Sequence, residues 1–159
     1  MAAVGSDYTA DAPTIEASLS WIRSQLGSRD KGLMDIVTEG FEREKLDAAF
    51  YEKAFACRNA FVRKYFAADL RMRNAKVEYL NKALGRPAGT DVINMKGAEE
   101  ADDAREIAAV FQTKDLVERE KAMDNFLMTA IDNINLFKLF KIDNVLGIAA
   151  KLCIIRRWM

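Results

Sequence analysis

The chain has 159 residues, half of them apolar and 30% charged, and its 24 lysines and arginines balance its 24 aspartates and glutamates. A chain of this length can bury a core of its own, and zero net charge exerts no long-range pull on nucleic acid or an acidic surface. The complete absence of histidine excludes Ser-His and Cys-His nucleophile pairs, His-bearing zinc sites and the Glu-x-x-His pairs of di-iron bundles.

The opening MAAVGSDYTADAP has no basic stretch leading into an apolar run, and no uncharged apolar segment is long enough to span a bilayer. The sequence therefore predicts a soluble, cytoplasmic chain without a signal peptide or transmembrane segment. With two prolines, eight glycines and abundant helix formers, it reads as all-α over a single domain, 1–159. A first helix is expected from near Asp11, with Pro13 in its first turn and Ile15, Leu19, Ile22 and Leu26 on one stripe, ending at Gly27. A short second helix runs from Gly32 to Gly40 through Leu33, Ile36 and Val37.

From Arg43 to Leu84 there is neither glycine nor proline, and as one helix this stretch makes a rod about 60 Å long at about 1.5 Å per residue. Gly85 and Pro87 end it. A fourth helix opens on Glu99, Glu100, Asp102 and Asp103, carboxylates suited to a helix N-terminus, and continues through Ile107, Val110 and Phe111. The fifth runs from Asp115 to Phe137, with Leu116, Met123, Ala130 and Phe137 every seventh residue and Phe126, Leu127 and Ile134 beside them.

The sixth is FKIDNVLGIAAKLCIIRRWM, from Phe140. Its core stripe is Ile142, Val145, Leu146, Ala149, Leu152 and Cys153; Arg156 and Arg157 suit the negative end of the helix dipole, and Trp158 forms an apolar cap. Only a few residues separate it from the fifth helix, so the two are expected to form an antiparallel hairpin. The expected architecture is an antiparallel helical domain with one long central helix and a C-terminal helical hairpin. Cys57 and Cys153, far apart in apolar stretches, read as buried free thiols.

The stretch RKYFAADLRMRNAKVEYLNKALGR, residues 63–86, carries seven basic and two acidic residues among its aromatics. At about 100° per residue, Lys64, Arg71, Lys82 and Arg86 share an arc of about 60°, whereas Val62, Phe66, Leu70, Val77, Leu80 and Leu84 form another face. Cations and rings diverge, so this is no nucleic-acid platform, which needs both on one surface. Arg73 falls in the middle of the apolar face and needs a carboxylate or several carbonyls around it, the candidate partners on the last hairpin being Glu118, Asp124, Asp132 and Asp143. Asn74 is placed to bond a backbone on an adjoining helix.

Arg73, Asn74, Asp132 and Asp143 are therefore read as a structural polar tie, with a ligand site as the alternative. Lys64, Arg71, Lys82, Arg86, Arg156, Arg157 and Trp158 are candidate partner contacts. There is no phosphate-binding loop and no nucleophile elbow, and no catalytic, cofactor-binding or metal residue is predicted.

Two segments carry a resemblance. In LVEREKAMDNFLMTAIDNINLFKLFKIDNVLGIAAKLCIIRRW the relevant residues are Glu118 to Lys121, Asp132, Phe140, Ile142, Asp143, Val145, Leu146, Lys151, Leu152, Arg157 and Trp158. In FAADLRMRNAKVEYLNKALGR they are Leu70, Met72, Arg73, Asn74, Leu84 and Gly85. In this order the segments resemble the long-helix signature and C-terminal hairpin of the C-type (in vacuoles, d-type) central-stalk family of archaeal and vacuolar-type rotary ATPases, nearest its short Bacteroidetes-type form.

The resemblance implies a non-catalytic adaptor between the central stalk and the membrane rotor ring, serving proton or sodium transport. Its partners would be the other components of the stalk and ring, and it would lie at the cytoplasmic membrane face without entering the bilayer. Full-length members are longer, so the chain is either a short member or a C-terminal part. The alternative reading is a generic helical protein-protein interaction scaffold.

Overall fold

Helices alone are found among the residues described by the computed structural model, 12–98, 102–138 and 141–159. In chain order they are α1 (Ala12–Ser24), α2 (Ser28–Glu39), α3 (Ala48–Ala56), α4 (Ala60–Ala83), α5 (Ala104–Val110), α6 (Leu116–Ile134) and α7 (Ile142–Arg156). The all-α expectation holds. Asp11, Glu99, Glu100 and Phe140, to which the sequence assigns roles, lie outside the described residues.

The stretch from Arg43 to Leu84 is not one rod. It is a single 3-10 turn at Arg43–Lys45, then α3, then α4. Two caps divide it: the Asp47 carboxylate accepts a hydrogen bond from the Phe50 amide at 2.9 Å, and the Asn59 side chain accepts one from the Val62 amide at 3.0 Å. Short polar side chains that bond the backbone start a new helix as effectively as glycine ends one. The long central helix is thus α4 alone, 24 residues. Gly27 likewise stands at the start of α2, whose first helical residue is Ser28.

Buried side chains place the helices. Phe61, Val62, Tyr65, Phe66 and Leu70 of α4 meet Met34 and Val37 of α2, Phe50 and Tyr51 of α3, and Leu146, Ala150, Cys153 and Ile154 of α7 in the main core. The rings of Phe61 and Tyr65 stack at 5.8 Å and Phe50 meets Phe66 edge-on at 5.0 Å, geometries that rings favour over face-to-face sandwiches. A smaller cluster of Met72, Ile107, Val110 and Met123 joins the second half of α4 to α5 and α6.

Cross-links fix direction. Lys76 pairs with Glu120 and Arg119 bonds the Tyr79 hydroxyl, so α4 and α6 run antiparallel. Asn135 bonds the Asp143 carbonyl and Arg157 bonds Asp124, so α6 and α7 form the expected antiparallel hairpin. α7 packs more extensively on α2 and α1, however, than on its hairpin partner.

Three details of the sequence pattern are corrected. Leu80 and Leu84, read as part of the apolar face of α4, are exposed. On α6 the buried stripe is Met123, Leu127 and Ile131, whereas Leu116 and Phe137 face solvent. Cys153 is buried, but Cys57 is only partly so, because it lies in the break between α3 and α4; both thiols are free.

Two close approaches require glycine. A Cβ on Gly40 would stand 2.3 Å from a ring carbon of Phe66, and one on Gly147 2.5 Å from the Asn135 amide nitrogen. Gly32, inside α2, faces open space. Gly40→Ala is therefore expected to destabilise the fold by about 1–3 kcal/mol through overpacking, whereas Gly32→Ala should stabilise it by up to about 1 kcal/mol through helix propensity. Urea denaturation of the two variants tests the opposite signs.

Candidate functional site

Asp69 and Arg73 lie one turn apart on α4, where side chains four residues apart share a face. Asp69 is partly buried and accepts a hydrogen bond from the Tyr51 hydroxyl of α3 at 2.7 Å. Desolvation pushes its carboxyl up to about 6, against the Tyr51 hydrogen bond and the positive charges of Arg157 and Arg73. Burial also raises the Tyr51 phenol far above its ordinary value, reinforced by the Asp69 charge. Arg73 is partly buried too, and its Nη1 is buried with no hydrogen-bond partner.

A cavity of about 310 Å³ opens at these groups, with Lys76, Glu120 and Arg157 completing its charged lining. Lys76 and Glu120 pair at 2.8 Å. Arg157 pairs with Asp124, which also accepts the Trp158 indole N–H at 2.5 Å. The closing Arg-Trp is thereby clamped to α6 at the cavity's edge. Three of the cavity's five charges are thus tied to each other or to Asp124, leaving Asp69 and Arg73 without an ion-pair hydrogen bond to any described residue.

Arg73 does not reach the carboxylates assigned to it from sequence. Glu118 pairs with Lys121, Asp124 holds Arg157 and Trp158, and the exposed Asp132 pairs with Lys151. Asp143 is buried, where it accepts from Asn59 at 2.7 Å and from Lys138 at 3.1 Å. It is a structural tie, linking the start of α7 to the cap of α4, but Arg73 takes no part in it. The carboxylate acting on Arg73 is Asp69 of its own helix. Asn74 does bond a backbone, though that of a loop: its amide donates to the Ile93 carbonyl at 2.8 Å and its oxygen accepts from the Ile93 amide at 3.0 Å.

The basic stripe breaks up in the same way. Arg71 is turned inward and grips Asp103 with two nitrogens, the closest contact being 2.7 Å. Arg86, beyond the end of α4, pairs with Asp91, and Arg156 pairs with Glu16 of α1. Lys64 and Lys82 remain exposed and make no ion pair with another described residue. Trp158 is half exposed.

Sequence reasoning passed over Tyr51, Asp69, Asn59 and Asn81. The Asp69–Arg73 spacing was a readable signal, as was the seven-residue spacing of Asn74 and Asn81, whose amide bonds the Thr90 carbonyl at 2.8 Å. No group of three or more His, Cys, Asp or Glu side chains able to hold a metal occurs among the described residues. The site holds charges and hydrogen bonds.

A family model described as "Protein of unknown function (DUF2764)" matches residues 30–159. The chain belongs to this family. Every residue of the cavity lies within the DUF2764 span, whereas α1 lies outside it. No curated protein and no solved structure matches the chain.

The raised Asp69 carboxyl has a definite sign in stability. Its folded value near 6 lies above the ordinary carboxylate value of 3.8, so between these limits the folded state binds more protons than the unfolded one, and stability falls as pH rises through the window. Asp69→Asn keeps a side-chain acceptor for Tyr51 and removes the titration. Relative to this variant, the native chain should lose stability between about pH 4 and 6 and run parallel above it; denaturation midpoints across that range measure the difference.

Proposed function

We propose that the chain is a non-catalytic adaptor of a V/A-type rotary ATPase, linking the central stalk to the membrane rotor ring. The observation that carries the reading is that the two segments resembling the central-stalk family form one packed unit. Met72 and Arg73 from the first border the same cavity as Glu120, Met123, Leu127 and Arg157 from the second. The adaptor works through shape and surface chemistry, at the cytoplasmic face of the membrane. No described helix is long and apolar enough to cross a bilayer.

The surface offers contacts of the required kind. Lys64 and Lys82 stand exposed on α4. Ile148 and Ile155, seven residues apart and so on one side of α7, are 53% and 40% exposed, and Trp21 of α1 is 66% exposed. Exposed apolar side chains standing side by side, as Ile148 and Ile155 do on α7, are characteristic of protein contact sites. The same face also favours the second reading, a helical interaction scaffold outside any rotary motor, and partner identity separates the two.

A tagged chain expressed in its own cell should copurify with the catalytic, stalk and ring components of a rotary ATPase, identified by mass spectrometry. Ile148→Glu with Ile155→Glu should abolish that association while leaving the helical circular dichroism spectrum unchanged. Recovery of the chain without any rotary component, from cells that assemble the complex, would overturn the adaptor reading.

A further inference from the structure

The turn between α6 and α7 presents an apolar tip to solvent. Leu136 and Phe137 are 60% and 93% exposed, and Phe137 holds a left-handed backbone with φ 66°. A bulky side chain rarely adopts that conformation, which glycine takes at no steric cost. The fold gains little from this ring, since it buries almost no surface and glycine would suit its backbone better. The turn beneath it is nevertheless well held. Lys138 pairs with the buried Asp143 at 3.1 Å, the Asn144 amide donates to the Lys138 carbonyl at 2.6 Å, and the Asn135 amide donates to the Asp143 carbonyl at 2.8 Å. Unfavourable backbone conformations that firm surroundings maintain concentrate at functional positions.

The charge around the tip has one sign. Between Asp132 and Asp143 the sequence carries two lysines and no acidic residue, and between Glu52 and Asp69 four basic residues and no acidic one. The Asn59–Asp143 hydrogen bond, at 2.7 Å, brings these two segments together. Arg58, Arg63 and Lys141 are exposed and form no ion pair with a described residue, although Arg63 gives one nitrogen to the Cys57 carbonyl. Lys53 and Lys64 stand apart, the first paired with Glu39 and the second bordering a cavity with Asp102 and Glu106. Both flanking carboxylates are engaged, Asp132 by Lys151 and Asp143 by Asn59 and Lys138.

Two apolar side chains on one turn fall far short of the roughly 800 Å² that each partner buries in a stable protein contact. A fluid bilayer needs no matching pocket, because apolar side chains enter its interface while lysines and arginines meet anionic headgroups. We propose that this end of the molecule binds an anionic phospholipid surface, with Leu136 and Phe137 entering the interface and Arg58, Arg63 and Lys141 meeting the lipid phosphates. Neither the tip nor the charge suffices alone, so attachment is reversible and weakens with salt. The proposal rests on this end of the molecule and not on the adaptor reading.

Flotation of the full chain with vesicles is the test. The chain should float with vesicles of phosphatidylcholine mixed with phosphatidylglycerol, not with phosphatidylcholine alone, and added salt should release it. Phe137→Gly should weaken binding by about tenfold, the scale of one large apolar side chain, while raising the urea midpoint, because glycine relieves the left-handed position. A folding defect therefore cannot account for the loss. Arg58→Gln and Lys141→Gln should each weaken binding by about fivefold.

Orientation is read by fluorescence. Vesicles with brominated acyl chains should quench the added tryptophan of a Phe137→Trp variant, but not Trp21 and Trp158 of the native chain, which lie on α1 and against the first half of α6. Equal binding to the two vesicle types, absence of binding to either, undiminished binding of Phe137→Gly, or equal quenching of the native tryptophans would overturn the proposal.

Discussion

The constraint on which the molecule turns is that one helix must cross two hydrophobic clusters without a break. From Phe61 to Leu70, α4 belongs to the main core; at Met72 it enters the smaller cluster with α5 and α6. Asp69 and Arg73 stand at the seam. Among the described residues, neither is reached by a neighbouring helix with an opposite charge in hydrogen-bonding geometry, and the two act on each other only through charge. The Arg73 Nη1 is left buried without a partner there, and an unmatched buried polar group costs more than a hydrogen bond returns. The cavity borders both Asp69 and Arg73.

Around the seam, asparagine and aspartate perform the roles that glycine and proline fill elsewhere. Asp47 and Asn59 start α3 and α4, Asn74 and Asn81 fasten the loop after α4 to its own helix, and Asn135 with Asp143 closes the α6–α7 turn. Apart from Asp143, whose carboxylate accepts from the Asn59 and Lys138 side chains, each bonds a backbone group that the end of a helix or the path of a loop would otherwise leave open. Asp143 has the widest reach, because it joins the first turn of α7 to the residue that caps α4, 84 positions earlier. The relative placement of the N-terminal and C-terminal halves thus depends on polar contacts as well as on the core.

Much of this was legible in the sequence, and the failures share a cause. Helix periodicity placed α1, α6 and α7 to within a few residues, and the separation of cations from rings on α4 was visible. The undivided rod fails because an absence of glycine and proline does not secure continuity: Asp47 and Asn59 interrupt the stretch by capping. The carboxylates assigned to Arg73 do not meet it because a helical projection gives direction but not distance, and each is paired with a cation on α6, on the α6–α7 turn, on α7 or just past its end. The heptad spacing carries the α6 stripe on to Phe137. The helix in fact ends at Ile134, and Phe137 has a left-handed backbone with φ 66° and an almost fully exposed ring.

α1 shows what the surface of α7 requires. It lies outside the span matched by the family model, yet it lays Ile15 and Leu19 into the core beside α7 and pairs Glu16 with Arg156. An amphipathic helix with one acidic residue therefore covers one side of α7, while the α6 side is bridged by Lys151 and Asp132. Between them runs the strip of Ile148 and Ile155, as apolar as the sides already covered. A helix apolar on nearly every side is ordinarily buried on every side. The same chemistry that seats α1, an apolar stripe beside a carboxylate, is what a partner helix would need to cover the rest of α7.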